Sequence, residues 1–279
     1  MTPIWQILLL ALIQGFAELL PVSSSAHVIV AEKLLGINPS APEMTFLLVM
    51  LHTGTMFAVL LYFSKRWLKL LSADKRNAFL KHLAIATIAT GVLGMILKKL
   101  IEKTIFAGAP KAEIEELFSN LPLIAFALAS VGVVIFLAGR KKSSHETLSS
   151  KSSLLIGLVQ GICLPFRGFS RSGATISTGL FLGISRELAE EFSFALAVIL
   201  TPPVVVRELL RLVKAHAFQD TPLSNLLLPG SLGMLFSFFA GLLALRWLSS
   251  WMERGRWQWF AYYCFFAAAV VVAVNFAIK

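Results

Sequence analysis

The stretch that decides the fold is Gln14-Gly15-Phe16-Ala17-Glu18-Leu19-Leu20-Pro21-Val22-Ser23-Ser24-Ser25-Ala26-His27. It lies in a strongly apolar chain, yet it carries an amide, a carboxylate, three hydroxyls and an imidazole. Such groups are costly in a bilayer, so they usually face a cavity or a partner and have a function. Gln14 and Glu18 are one helical turn apart on one face, and Pro21 should end that helix. The serines that follow can cap a second helix, in which His27 falls one turn after Ser24. The stretch therefore predicts helix, break, helix, with polar groups at the break.

The composition indicates an all-α polytopic membrane protein. The 279 residues are 57% hydrophobic and only 14% charged, and the mean hydropathy is +0.79. Long continuous apolar stretches favour helices over a β-barrel. The net charge of +10 comes largely from short loops between apolar stretches, which is typical of topology signals and contacts with membrane lipid. No basic soluble face for nucleic acid is evident.

Six apolar stretches are long enough to span about 30 Å of hydrocarbon. We predict spans at 43–64, 82–100, 121–139, 190–213, 226–248 and 258–278. The expected loops between them include 65–81, 101–120, 140–153 and 246–256. Two pairs of shorter helices remain, 4–20 with 25–35 and a pair within 154–185, and each pair predicts a re-entrant hairpin. An interfacial belt of aromatic side chains is predicted around the last loop, with members Trp247, Trp251, Trp257 and Trp259.

The two halves of the chain repeat. Three segments match in order at an offset of 146–148 residues: Leu12-Ile13-Gln14-Gly15 with Leu158-Val159-Gln160-Gly161, Val22-Ser23-Ser24-Ser25-Ala26 with Phe169-Ser170-Arg171-Ser172-Gly173, and Glu43-Met44-Thr45-Phe46-Leu47-Leu48 with Glu191-Phe192-Ser193-Phe194-Ala195-Leu196. We place the repeats at about 4–139 and 154–278, in one integral membrane domain. Three spans separate the hairpins, so the second repeat should be inverted, with the site where the repeats meet.

The basic loops set the expected orientation. If 65–81, 140–153, Arg186 and 246–256 are cytoplasmic, that side holds 14 Lys and Arg against nine on the other side. The bias favours this orientation, which places both termini and the opening of the first hairpin outside.

The second hairpin has the character of an anion site. It reads Pro165-Phe166-Arg167-Gly168-Phe169-Ser170-Arg171-Ser172-Gly173-Ala174-Thr175. Ser170 or Ser172 can cap a helix whose free N–H groups attract anions, and the guanidinium of Arg171 suits phosphate oxygens. Facing the first hairpin, this arrangement predicts a metal-bound phosphate.

These motifs together resemble the bacterial undecaprenyl-diphosphate phosphatase family of the bacitracin-resistance type. The resemblance rests on Gln14-x-x-x-Glu18, on Pro21-Val22-Ser23-Ser24-Ser25-x-His27 and on Gly168-x-Ser170-Arg171-Ser172-Gly173-x-Thr175, and it covers essentially the whole chain. The family's second motif usually begins Pro-Gly, whereas here Phe166 and Arg167 stand between Pro165 and Gly168. Arg167 is therefore a second candidate phosphate ligand.

The resemblance implies hydrolysis of undecaprenyl diphosphate, in the bacterial inner membrane, to recycle the lipid carrier of cell-wall synthesis. A divalent cation, Mg²⁺ or Ca²⁺, is then expected on Glu18 and Gln14. Arg171 would stabilise the transferring phosphoryl group, His27 would act as base or acid, and Ser24 is a candidate nucleophile, with direct attack by water as the alternative. The remaining candidate substrate-binding residues are Ser23, Ser25, Arg167, Ser170, Ser172 and Thr175.

Structural roles compete with several of these assignments. Glu18 and His27 could be paired structural groups, Ser23 and Ser25 could be helix caps, and Thr175 could bond back within its helix. His52 is open between helix packing and a place in the site. The competing function is an anion or lipid-phosphate transporter or flippase, because inverted repeats with broken helices are typical of transporters. A homodimer is an expectation that no residue pattern decides.

Overall fold

The computed structural model describes residues 3–39, 41–71, 76–105, 120–141, 147–214 and 223–278, which form α-helices joined by short non-helical segments. In chain order, the helices of these ranges are α1 (Ile4–Leu19), α2 (Ser24–Leu34), α3 (Pro42–Leu71), α4 (Arg76–Ile105), α5 (Leu121–Gly139), α6 (Ser150–Cys163), α7 (Arg171–Phe181), α8 (Arg186–Lys214), α9 (Leu223–Glu253) and α10 (Gln258–Ala277). The all-α prediction is confirmed for these ranges.

Six helices are long and apolar enough to cross a membrane, and they correspond to the six predicted spans: α3, α4, α5, α8, α9 and α10. The other four helices have 16 residues or fewer. At 1.5 Å per residue they are at most about 24 Å long, which is less than the hydrocarbon thickness of about 30 Å. They form the two predicted short pairs, α1 with α2 and α6 with α7. That each pair is a re-entrant hairpin stays a prediction.

Two predicted loops are largely helical. α3 continues to Leu71 and α4 begins at Arg76, so most of 65–81 is helix, and α9 runs to Glu253 through most of 246–256. The loop predictions were wrong because apolar length marks only the hydrocarbon core. Lys and Arg are good helix formers, and their side chains reach the headgroups from helices that continue beyond the core. Parts of the predicted loops lie outside the described residues: 72–75, 106–119 and 142–146.

The described helices fall into two sets in chain order, α1–α5 and α6–α10, each with two short helices followed by three long ones. The two sets pack against each other. α1 packs against α9 and α6 packs against α4, so the first short helix of each set contacts the fourth helix of the other set. The last helices of the two sets, α5 and α10, also pack together. The repeat and the inverted orientation of its second half stay predictions.

The predicted aromatic belt is wrong at Trp257. Its side chain is 1% exposed, and its Nε1 donates a hydrogen bond to Ser177 Oγ at 3.1 Å. The chain turns at Gly255, where φ is +68°, and carries the indole inward. Trp247 and Trp259 are exposed, and their place in an interfacial belt stays a prediction.

Candidate active site

The first half of the site is the last turns of α1. Gln14 is buried, and the Glu18 side chain is 14% exposed. The two lie on one face, as predicted, and Gln14 Nε2 donates to Glu18 Oε2 at 3.1 Å. α1 ends at Leu19 and the chain leaves it through an extended Leu20. The carboxylate of Glu18 therefore lies at the helix end, beside the predicted break.

α2 begins directly after the break, with Ser24 as its first residue. The preceding Ser23 has a φ of +67°, a left-handed conformation that is costly for a residue with a Cβ and that is found most often at functional sites. The side chain of Ser23 does not cap α2; its Oγ lies 3.2 Å from Ser25 Oγ. Ser24 Oγ donates to Glu18 Oε2 at 2.5 Å, so the turn brings this hydroxyl onto the carboxylate.

The second half of the site is the turn between α6 and α7. Gly168 has a φ of +95°, and a Cβ there would lie 2.5 Å from the Ile124 carbonyl oxygen, so only glycine fits. Ser170 caps α7, accepting from Gly173 N–H at 3.2 Å, as predicted. Arg171 is the first residue of α7, and its Nη2 donates to Glu18 Oε1 at 2.9 Å.

Two helix N-termini therefore meet at one carboxylate. Ser24, the first residue of α2, contacts one oxygen of Glu18, and Arg171, the first residue of α7, contacts the other. Helix N-termini carry free N–H groups and partial positive charge, and both favour a bound anion. Adding the guanidinium of Arg171 makes the meeting point of the two breaks suited to phosphate oxygens.

Two further hydrogen bonds join the breaks. Gly168 N–H donates to Ser25 Oγ at 3.4 Å, and Ser172 Oγ donates to the Leu20 carbonyl at 3.3 Å. The predicted contact between the two short helix pairs is thus present in the structure. Ser25 and Ser172 therefore each link one short helix pair to the other.

His52 of α3 belongs to this cluster. Its Nδ1 lies 3.1 Å from Gln14 Nε2 and 3.7 Å from Glu18 Oε2. The ionised carboxylate of Glu18 can only accept hydrogen bonds, so the amide NH₂ of Gln14 is the group that donates to it. The same NH₂ faces His52 Nδ1, which therefore also accepts. This network assigns the ring hydrogen of neutral His52 to Nε2. The sequence left His52 open between packing and the site, and the structure places it at the site.

Close packing on α9 puts His52 beside Gln14. Gly15 and Gly54 both lie against Ser237. A Cβ added to Gly15 would be 2.8 Å from the Ser237 carbonyl oxygen, and a Cβ added to Gly54 would be 2.2 Å from the Ser237 Oγ. The glycines flank the two polar residues in sequence, so α1 and α3 are drawn onto the same point of α9. The contact between His52 and Gln14 follows from this packing.

His27 does not hydrogen-bond Ser24, although it follows Ser24 by one helical turn. Its Nδ1 lies 2.7 Å from the Ser23 carbonyl oxygen, and its Nε2 lies 2.8 Å from the hydroxyl of Tyr263 on α10. The helical spacing of one turn suggested the pairing, but the turn at Ser23 directs the Ser24 hydroxyl to Glu18 instead. No sequence motif indicates Tyr263.

Thr175 lies one helical turn after Arg171 in α7. Its Oγ1 donates to the Arg171 carbonyl at 2.9 Å and lies 2.6 Å from Ser193 Oγ. The hydroxyl therefore bonds back within its helix, the structural alternative for this residue, and it supports the first turn of α7 from within.

Arg167 is exposed at the edge of the second break, and its charge interacts with that of Glu32 on α2. Glu32 is only 3% exposed, and its Oε1 has no hydrogen-bond partner among the described residues. No sequence motif singles out Glu32.

The carboxylate and the amide at this site suit a metal cation that is held mainly by the phosphorylated molecule with which it arrives. Within the described ranges, no three His, Cys, Asp or Glu side chains come together as a protein-built metal site requires. Glu18 supplies one carboxylate, and Gln14 supplies a neighbouring amide. Mg²⁺ is commonly bound through one or two carboxylates together with substrate phosphates and waters, so these two residues fit a cation that arrives on a phosphorylated ligand.

Similar proteins identify the family. A family model described as "Bacitracin resistance protein BacA" matches residues 7–270. The chain is 57% identical over 277 residues to "Undecaprenyl-diphosphatase 2" of Acinetobacter baylyi, covering 96% of each chain. It is 34% identical to "Undecaprenyl-diphosphatase" of Desulfatibacillum aliphaticivorans, covering 97% of this chain and 98% of the relative. It is 32% identical to "Undecaprenyl-diphosphatase" of Rhodopirellula baltica, covering 97% of each chain. The chain therefore belongs to the BacA family of bacitracin resistance proteins.

Proposed function

We propose that this protein hydrolyses undecaprenyl diphosphate to undecaprenyl phosphate and inorganic phosphate, and so recycles the lipid carrier of cell-wall synthesis. Its relatives are named for this activity. The observation that carries the proposal is the carboxylate of Glu18, held between the first residues of two helices, Ser24 and Arg171.

Binding of the diphosphate uses the two helix N-termini and Arg171. A guanidinium can hold two phosphate oxygens at once, and Glu18 keeps that of Arg171 at the break at 2.9 Å. Ser170 and Ser172 keep the first turn of α7 in place, and Arg167 extends the positive charge at the accessible edge. In phosphoryl transfer most of the catalytic benefit comes from such positioning and charge stabilisation.

In the hydrolytic step, an oxygen atom attacks the terminal phosphorus, and the bond from that phosphorus to the bridging oxygen breaks. Undecaprenyl phosphate leaves with the bridging oxygen and its electron pair. If water attacks, inorganic phosphate forms in one step. If Ser24 Oγ attacks, a phosphoserine forms, and one water then attacks its phosphorus and releases inorganic phosphate while the bond to Ser24 Oγ breaks.

Protons are moved by Glu18 and His27. The hydroxyl of Ser24 donates to Glu18 at 2.5 Å, so Glu18 is placed to take its proton in the covalent route. His27 takes the proton of the attacking water or returns one to the leaving phosphate. Glu18 and Gln14 would hold Mg²⁺ or Ca²⁺, which when bound neutralises charge on the diphosphate oxygens.

The protein spans the membrane several times, and we place it in the bacterial inner membrane with the site open to the periplasm. The bias of basic residues supports this orientation. The substrate and the surrounding membrane lipid are the partners, and a homodimer stays an expectation. The transporter alternative has no support from the relatives named above, which are all diphosphatases.

The test is phosphate release from a polyprenyl diphosphate by the detergent-purified protein, with Mg²⁺ or Ca²⁺ and after removal of the cation by a chelator. Glu18→Gln and Arg171→Ala should each lower kcat by at least about 100-fold, the loss typical of one charge-stabilising group. The chelator should abolish release, and added cation should restore it.

The matched control is the ion pair between Arg66 and Glu191, whose nitrogen and oxygen are 3.4 Å apart on α3 and α8. Arg66→Ala also removes a guanidinium that pairs with a carboxylate between two helices, but at a distance from both breaks. It should leave kcat within a few-fold of the parent. Release that persists in Arg171→Ala and falls in Arg66→Ala would overturn the proposed site.

A further inference from the structure

We propose that Tyr263 is a positioning residue that holds the imidazole of His27 in one tautomer and one orientation for the reaction. This rests on the proposed function, in which His27 moves a proton. Tyr263 lies on α10, in the last candidate span and outside both breaks. Its hydroxyl is 2.8 Å from His27 Nε2.

The contacts of His27 fix its tautomer. Nδ1 is 2.7 Å from the carbonyl oxygen of Ser23, and a carbonyl oxygen only accepts, so Nδ1 carries a hydrogen. In the neutral ring Nε2 is then the basic nitrogen, and the hydroxyl of Tyr263 donates to it. A proton from the attacking water reaches Nε2 through this hydroxyl: the Tyr263 oxygen takes the proton of the water while it gives its own hydrogen to Nε2, and it then accepts a hydrogen bond from the new Nε2–H. Tyr263 thus serves both protonation states that a proton-transfer residue must visit.

The orientation of the ring is also set by α10. The rings of His27 and Tyr263 are nearly parallel, with an interplanar angle of 13° and centroids 5.6 Å apart. The next residue, Cys264, is fully buried, and its Sγ contacts the Pro21 carbonyl at 3.5 Å. α10 therefore contacts the first break at two successive residues. The backbone at Ser23, with its left-handed φ, is held between these contacts.

The pair lies at the accessible edge of the break. Tyr263 is 44% exposed and His27 is half-buried, whereas Gln14 and Ser172 are buried inside. A ring in this position would be free to swing without a second hydrogen bond, since Ser23 alone fixes only Nδ1. The contact with Tyr263 is the one that constrains Nε2.

The neighbouring Tyr262 supplies a matched control. It is on the same helix and 50% exposed, and its ring packs against Phe136 and Trp259. Its hydroxyl has no hydrogen-bond partner among the described residues. Tyr262→Phe and Tyr263→Phe therefore remove the same atom from adjacent positions, and only the second removes a bond to His27.

The experiment measures kcat and KM for polyprenyl diphosphate hydrolysis in Tyr263→Phe, Tyr262→Phe, His27→Ala and the double variant His27→Ala with Tyr263→Phe. Loss of one neutral hydrogen bond corresponds to a kcat lower by about 5- to 10-fold, with KM unchanged, in Tyr263→Phe. Tyr262→Phe should match the parent. In the His27→Ala background, Tyr263→Phe should have no further effect, because its partner is already absent.

A second readout is the nitrogen-15 NMR signal of His27, identified by its loss in His27→Ala. We expect the Nε2 signal to shift in Tyr263→Phe and to stay in place in Tyr262→Phe. An unshifted signal with an unchanged kcat in Tyr263→Phe would overturn the proposal, as would equal losses of kcat with and without His27. Full activity in His27→Ala would overturn the proton-transfer role of His27 itself, so failure of the underlying function is told apart from failure of this inference.

Discussion

Replacing Gly157 by alanine should separate α6 from α4 and disturb the site from a distance. A Cβ on Gly157 would lie 2.3 Å from the carbonyl oxygen of Ala86 and 2.6 Å from its Cα. These are backbone atoms that no side-chain rotation can move, so the two helices must part by about 1 Å to reach normal contact. The hydrogen bond from Thr90 Oγ1 to the Gly157 carbonyl, at 2.9 Å, would lengthen with them.

The cost can be estimated from two effects. Overpacking of this kind costs about 1–3 kcal/mol, which for a chain of this size lowers Tm by roughly 3–10 °C. α6 leads directly into the turn that carries Arg171, and a displacement of about 1 Å at a catalytic group can cost about 100-fold in rate. We therefore expect Gly157→Ala to lose both thermal stability and activity.

The assay is thermal unfolding in detergent together with phosphate release. Gly91→Ala is the control, because Gly91 lies in α4 and a Cβ there would meet nothing within 4 Å. Alanine should stabilise this control slightly, by about 0.5–1 kcal/mol, through its helix propensity. Parent-like stability and activity in Gly157→Ala would refute the reasoning, as would equal losses in the two variants.

Three further predictions follow from the site and the topology. Ser24→Ala removes a hydrogen bond to the charged Glu18 and should lower kcat by at least about 10-fold. Labelled diphosphate substrate should leave phosphoserine on the parent protein only if the covalent route operates. Thr175→Val should lower kcat by about 3- to 10-fold because it removes support from the first turn of α7, whereas Thr178→Val, which loses only a bond within the helix, should not. A third cysteine, introduced by Ser144→Cys in addition to the buried Cys163 and Cys264, should resist impermeant thiol reagents added to intact cells, and labelling there would reverse the predicted orientation.

Local signals in the sequence were sufficient for the helices and for half of the site. Pro21 ended α1 near the predicted residue, and Ser170 capped α7, because these effects depend on covalent geometry and on neighbours within one turn. The spacing of Gln14 and Glu18 put both on one face for the same reason. The repeated motif also indicated that Arg171 would face Glu18, since both belong to breaks at equivalent places in the two halves.

Contacts between residues far apart in sequence were decided only by the tertiary structure. The hydroxyl of Ser24 turned to Glu18 rather than to His27 because of the left-handed backbone at Ser23, which no residue type in the motif indicates. His52 joined the site because Gly15 and Gly54 both pack on α9.

Apolar composition determined which six of the described helices are able to span a membrane, because burial in lipid depends on each segment by itself. The partners of polar groups inside the bundle depend on which helices approach closely, and that is decided by shape. Trp257 shows the difference: its composition and position suited an interfacial belt, but the turn at Gly255 carried it into the core to bond with Ser177. The sequence by itself thus determined the helices, the two breaks and the charged groups at them, whereas the packing of α3 and α10 decided which imidazole meets the carboxylate and which one is held by Tyr263.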